Sequence, residues 1–140
     1  MVNRELVEGR RRDTESEKIT INLGYVDLGH VDLLVQEGFY SNRTDFIRTA
    51  IRNQLGNHGD VLKKTVARRS MVLGLQRYTR RDLERVRDAG EQVHIHVLGL
   101  ATIDDDVPPN LAAQTIASIA VLGALRASPA VKAALADRIG

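Results

Sequence analysis

The feature that most constrains this chain is one short alternating segment near its start, KITINL at residues 18–23. The apolar set is Ile19, Ile21 and Leu23, and the polar set is Lys18, Thr20 and Asn22. This period of two predicts a strand with one buried face. A lone strand exposes unpaired N–H and C=O groups along both edges, and residues 1–57 offer no second strand to pair with it. The simplest partner is therefore the same segment of a second chain, antiparallel across a two-fold axis.

Two helices are predicted after this segment. Apolar residues at helical spacing indicate the first from about Val26 to Glu37, followed by Gly38 as a terminator. Ser41 or Asn42 can cap the second helix, whose apolar stripe starts at Phe46. The stripe can continue to residue 66, although two glycines interrupt it. Four such helices from two chains would pack on the apolar side of a two-stranded ribbon.

The polar side of that ribbon predicts contact with DNA, because a two-stranded ribbon fits the major groove. Lys18 can bond guanine, Asn22 can pair with adenine, and Thr20 can contact either polar edges or a thymine methyl. A phosphate can bind the free N–H groups at the start of the second helix. That start consists of Ser41, Asn42, Arg43 and Thr44. The alternation also fits an ordinary amphipathic edge strand, and a helix cap usually only stabilises its helix.

At this point the sequence resembles the ribbon-helix-helix proteins, the MetJ/Arc/CopG group. KITINL, a helix, a glycine and FYSNRTDFIRTAIRNQL follow that family's pattern over about residues 18–55. The resemblance implies an obligate intertwined dimer that binds operator DNA. It assigns base reading to Lys18, Thr20 and Asn22, and phosphate anchoring to the helix start at Ser41 and Asn42. Asp45 stands where Glu is commoner in the family, and both residues can serve the cap.

Charge is concentrated in the middle of the chain. Residues 58–90 carry nine Lys/Arg against four Asp/Glu, a net charge of +5, while the whole chain has a net charge of +2. Such a segment indicates a polyanion nearby or a solvated helix face. Auxiliary contacts to the DNA backbone are expected from basic residues on either side of the ribbon module. These are Arg10, Arg11, Arg12, Lys63 and Lys64.

The second half of the chain contains an internal repeat. The tripeptide Val-Leu-Gly begins at Val72, Val97 and Val121, at spacings of 25 and 24 residues. Each copy reads as a short apolar strand, a turn and a helical segment, which predicts parallel strands joined by helices. The aligned glycines would let neighbouring backbones come close. Helices can cover only one face of such a sheet, so the other face is expected to meet a second subunit or the N-terminal part.

Other chemistry is weakly supported. His94 and His96 point to one face of a predicted strand and are a weak candidate metal pair. Nickel-responsive ribbon-helix-helix repressors also carry His-x-His, but they add a Cys, and this chain has none. Surface or half-buried histidines are the simpler interpretation, so no metal and no cofactor is expected. The sequence shows no catalytic motif, and we predict that the protein is not an enzyme.

These observations predict an α+β chain of four segments. Residues 1–17 form a flexible arm, 18–56 a ribbon-helix-helix module, 57–69 a basic linker or helix extension, and 70–140 a βα-repeat domain with about three parallel strands. The expected function is sequence-specific transcriptional regulation, with repression as the expected mode, by a homodimer that binds double-stranded DNA. The C-terminal domain would assemble dimers further, or bind an effector or a protein partner.

The alternatives are an antitoxin that regulates its own operon, a metal-responsive regulator, and an assembly protein whose repeats polymerise. Patterned structure in the second half argues against an antitoxin, because antitoxin tails are often unfolded alone. No apolar run approaches the roughly 20 residues that span a bilayer, and no signal peptide is recognisable. A cytoplasmic, nucleoid-associated protein of bacterial type, without membrane contact, is therefore expected.

Overall fold

The structure is a computed structural model that describes residues 16–140. These residues form two compact units, 16–65 and 66–140. The first unit holds α1 (Tyr25–Gln36), α2 (Arg43–Asn57) and most of α3 (Gly59–Arg68). The second unit alternates strands and helices: β1 (Val72–Tyr78), α4 (Arg80–Asp88), β2 (Val93–Ile103), α5 (Pro109–Thr115), β3 (Ile116–Arg126) and α6 (Pro129–Ala134), with a last 3₁₀ turn at Ala136–Arg138. The α+β class and the three parallel strands are confirmed.

The predicted N-terminal strand is not formed in this single chain. Residues 16–24 have no regular secondary structure, and every strand within residues 16–140 belongs to the parallel sheet of the second unit. A strand needs a neighbour for its ladder of hydrogen bonds, and residues 16–140 of one chain supply none for this segment. The antiparallel ribbon therefore stays a prediction about two chains.

Local signals explain the two helices of the first unit. Gly24 precedes α1, and Gly38 follows it with a φ of 86° that favours glycine. The Asn42 side chain caps α2. The ring of Tyr40 meets that of Phe46 edge to face at a centroid distance of 5.0 Å, which packs the α1–α2 turn on α2. The predicted stripe is broken at His58, where α2 ends and α3 begins.

The sheet of the second unit places the repeat in register. Its strand order is β1-β2-β3, all parallel, and Val72, Val97 and Val121 are paired across it. The β2–β3 register shifts by one residue at Val93/His94, where β3 carries one extra residue before the third copy of the repeat. The 24- to 25-residue period of the sequence is thus one strand and one helix.

Three glycines stand side by side across the strands and form the glycine row. Gly74, Gly99 and Gly123 have φ values of 118°, 140° and 120°, a region that L side chains rarely adopt. A Cβ atom on Gly99 would lie 2.1 Å from the carbonyl oxygen of Gly74, and one on Gly123 would lie equally close to that of Gly99. The sheet therefore depends on the absence of side chains along this row.

Helices α4, α5 and α6 cover one face of the sheet and enclose the core. Its strand members include Ile95, Val97 and Ile119, and its helical members include Leu83 and Leu111. Thr79 caps α4 with a reciprocal capping box to Asp82. Ser128 caps α6, as its position before Pro129 predicts. These three helices leave the opposite face of the sheet uncovered. That this face meets a second subunit or the N-terminal part stays a prediction.

Candidate nucleic-acid interface

The predicted base-reading side chains all lie in the open. Lys18, Thr20 and Asn22 are exposed, and so are the apolar residues between them. Ile19, Ile21 and Leu23 are 70%, 54% and 43% exposed. A single chain thus leaves both sides of the segment in water. In the single chain, residues 18–23 are therefore an exposed irregular segment whose side chains alternate between an apolar and a polar set.

The predicted phosphate anchor is a well-capped helix start. The Asp45 N–H donates to Asn42 Oδ1 at 2.8 Å, and the Ser41 N–H donates to Asp45 Oδ2 at 3.0 Å. The return bond reaches Ser41, one residue earlier than in the usual capping box. The Asn42 side-chain oxygen and the Ser41 N–H are therefore occupied by the cap. The donors that a helix leaves unpaired at this point are the backbone N–H groups of Arg43 and Thr44.

An ion pair that the sequence did not predict fixes the side chain of Arg43. Its Nε and Nη2 donate to the two carboxylate oxygens of Asp32 at 2.7 and 2.8 Å, which ties α2 to α1. The bidentate hydrogen bonds hold the pKa of Asp32 below its ordinary value and raise that of Arg43. The eleven-residue separation carries no periodic signal, so only the packing of the two helices reveals this pair.

The first unit has almost no interior. Within residues 16–65 the only buried side chain is Val31. Many large apolar side chains are exposed instead: Ile19, Ile21, Leu23, Tyr25, Val26, Leu33, Phe39, Ile51, Leu55, Val61 and Leu62. Apolar surface on this scale is unusual in a monomeric domain and marks an interaction surface.

The remaining predicted contact residues are basic. Lys63 and Lys64 are exposed on α3, where an exposed ammonium group can reach a polyanion. Arg10, Arg11 and Arg12 lie outside the described residues. The structure therefore places one pair of the predicted auxiliary contacts on the surface of the first unit.

The two histidines of β2 occupy neighbouring positions on one side of the strand. His94 Nδ1 lies 2.8 Å from Ser118 Oγ on β3, and His96 is paired in register with Ala120. No three His, Cys, Asp or Glu side chains come together to hold a metal ion in the part of the chain that the structure describes. The histidines therefore have a hydroxyl and an alanine beside them, not further ligands.

The acidic turn after β2 has a structural role. Arg77 on β1 donates two hydrogen bonds to the Asp104 carboxylate, both at 2.8 Å, which joins the ends of neighbouring strands. These bonds raise the pKa of Arg77.

None of the helices within residues 16–140 has the length and hydropathy needed to cross a membrane.

Comparison with known proteins adds a family. The model of the Ribbon-Helix-Helix transcriptional regulator family matches residues 14–132, which cover the first compact unit and most of the second. No curated protein matches the chain, and no solved structure does. The match confirms the resemblance of residues 18–55 and extends it into the repeat. It points to DNA binding and transcriptional regulation, and the family is typically non-enzymatic. The chain belongs to the Ribbon-Helix-Helix transcriptional regulator family.

Proposed function

We propose that this protein is a sequence-specific transcriptional repressor that binds operator DNA as a homodimer. The observation that carries the proposal is the missing interior of residues 16–65, where Val31 is the only buried side chain. A unit that buries so little cannot offset the entropy of ordering its chain. A second copy supplies the missing apolar surface, so folding and dimerisation of this unit are one event.

The ribbon follows from the exposed segment at residues 18–23. Pairing it with its copy satisfies the free backbone groups and turns the three apolar side chains of each chain onto the helices. Full burial of such a side chain is worth about 1.5–3 kcal/mol. Because these three are roughly half-exposed, six of them contribute roughly 6 kcal/mol to the dimer. The same pairing turns Lys18, Thr20 and Asn22 of both chains outward as a symmetric set.

That outward set is suited to the major groove. Lysine bonds guanine O6 and N7, asparagine pairs with adenine N6 and N7, and threonine tolerates several bases. The two-fold axis predicts a pseudo-palindromic operator. Each well-placed contact is worth about 1–3 kcal/mol of discrimination between bases. Sequence preference should therefore depend on Asn22 and Lys18.

Register on the DNA would be set by the start of α2. The free N–H groups of Arg43 and Thr44 and the positive end of the helix dipole favour a phosphate oxygen there. Asp32 holds the Arg43 guanidinium at 2.7 Å, so the charge of this side chain is paired with a carboxylate and the backbone N–H groups are the donors left for the phosphate. Lys63, Lys64 and the arginines at residues 10–12 would add contacts that depend on salt and not on sequence.

We favour a regulator over an antitoxin because the second unit has its own interior. The core around Leu83, Ile95 and Leu111 is closed within residues 66–140, whereas an antitoxin tail commonly folds only on its toxin. A co-purified small protein, or an unfolded second half in circular dichroism, would reverse this preference.

The test is selection of bound sequences from random duplexes with the full chain, combined with its mass in solution. Asn22→Ala should leave the dimer intact and relax preference at symmetric positions by about 1–3 kcal/mol per contact. Asn53→Ala is the matched control, because Asn53 is an exposed asparagine in the middle of α2. If Asn22→Ala changes neither affinity nor preference, the readout assignment is wrong. A stable monomer would refute the ribbon.

A further inference from the structure

The uncovered face of the sheet carries two rows of apolar side chains, which we call the leucine face. By register the first row is Leu73, Leu98 and Leu122, and the second is Leu75, Leu100 and Ala124. Leu73, Leu75 and Leu122 are 72%, 66% and 49% exposed. Side chains alternate between the two faces along each strand, and those of the opposite face pack against α4, α5 and α6. These helices therefore do not cover the leucine face.

The leucine face has charge at one end only. Toward the C-terminal ends of the strands, the next row is Arg77, Thr102 and Arg126. Toward their N-terminal ends, the next row is His96 and Ala120. Its two central rows contain no charged or hydrogen-bonding side chain. A contiguous uncharged surface across three strands is the composition of an interface core.

We propose that the leucine face packs against the leucine face of a second copy of this chain. The contact rests on the proposed homodimer, which brings two C-terminal units into one molecule. The area supports a tethered contact: burying both faces removes on the order of 1,000 Å² from water, the lower limit for a specific interface. Such an area is small for two free units, but tethering gives an effective concentration in the millimolar range.

The charges select one arrangement of the two sheets. A two-fold axis along the strands would lay Arg77 over the partner's Arg126, whereas an axis across the strands lays the arginine row over the histidine end. The second arrangement avoids repulsion between arginines, so the two sheets should stack with their strands running in opposite directions. Leu98 lies on the central strand in one of the two rows that flank this axis, so its two copies come close together.

A chain without cysteine allows a direct test. Leu98→Cys in the full chain is treated with a bis-maleimide whose span matches the roughly 10 Å between packed sheets. Ala133→Cys is the matched control, because Ala133 is exposed on α6, on the helical side of the sheet. We expect cross-linking through residue 98 to be at least about tenfold faster than through residue 133, since tethering alone favours neither site. Adding Leu73→Glu and Leu75→Glu, at two highly exposed positions, should remove this advantage.

Sedimentation of the same samples separates the two proposals. If the protein sediments as a dimer but residue 98 is cross-linked no faster than residue 133, the leucine-face contact is overturned and the ribbon dimer is retained. A thiol at residue 98 that reacts with a monofunctional maleimide as fast as the thiol at residue 133, in a protein that sediments as a dimer, also overturns it, because the face is then uncovered. A monomer without cross-links refutes both. Cross-linking that persists unchanged in the Leu73→Glu/Leu75→Glu variant refutes the proposed surface.

Discussion

Gly99→Ala is the substitution that the sheet should tolerate least. A side chain there meets two separate obstacles: a φ of 140°, and the carbonyl oxygen of Gly74 at 2.1 Å from the new Cβ. Backbone in such a conformation costs an L residue about 1–3 kcal/mol. An ordinary C···O contact is about 3.3 Å or longer, so β1 must also move by roughly 1 Å. Losing two or three ladder bonds through that movement adds about 1–4 kcal/mol.

Gly74→Ala is the control that separates the two costs. Gly74 has a φ of 118°, but a Cβ on it would have no neighbour within 4 Å, because β1 is an edge strand. We expect Gly74→Ala to lower the free energy of opening by about 1–3 kcal/mol from backbone strain alone. Gly99→Ala should lower it by at least about 2 kcal/mol more, and Gly123→Ala should behave like Gly99→Ala.

The measurement is amide hydrogen exchange of the β2 amides in the full chain, which reports opening of the sheet without assuming that the two units unfold together. A difference of about 2 kcal/mol between the two variants corresponds to roughly a thirtyfold faster exchange in Gly99→Ala. Equal exchange rates in Gly74→Ala and Gly99→Ala would refute the argument that neighbouring backbones approach closely along the glycine row.

Three further predictions follow from single contacts. Thr79→Ala removes the cap of α4 and should lower the free energy of unfolding by about 1 kcal/mol in urea titrations, whereas Thr79→Ser keeps the capping hydroxyl and should not lower it. The hydrogen bonds from Thr79 and the ion pair with Arg43 depress the pKa of Asp82 and Asp32 below 3.8 in the folded state, so their stabilisation is present above that value. This stabilisation should be lost as the pH falls through the pKa values of the folded state. If the free energy of unfolding stops depending on pH in this acid range in Asp82→Asn alone, the cap of α4 is the source of the dependence. Asp32→Asn should free Arg43 and strengthen binding to all DNA with a steeper salt dependence and unchanged preference, whereas Asp27→Asn on the same helix should have a smaller effect in salt titrations.

Much of the fold was predictable because its signals are local or periodic. The Val-Leu-Gly spacing predicted both the number of strands and their register, and Asn42, Thr79 and Ser128 marked helix starts by short-range capping chemistry. The ion pairs Asp32–Arg43 and Arg77–Asp104 were not predictable, because they join elements whose mutual orientation depends on tertiary packing.

The candidate interface shows the same division. The alternation at residues 18–23 predicted which side chains share a side, yet a single chain cannot form the ribbon that this alternation requires. Lys18, Thr20 and Asn22 keep their assigned roles as a proposal, because those roles depend on a second chain and on DNA. The extent of the exposed apolar surface in residues 16–65 appears only once the helices are placed, since each stripe alone reads as an ordinary core face.

The glycine row also limits how this chain can change its length. A residue inserted between Val97 and Leu100 would bring a side chain into the row, where the neighbouring carbonyl leaves no room. The segments between the strands are under no such restriction, because their residues lie outside the glycine row. Insertions and deletions among relatives should therefore accumulate in the helical connections, while the distance from each Val-Leu-Gly to its own strand end stays constant.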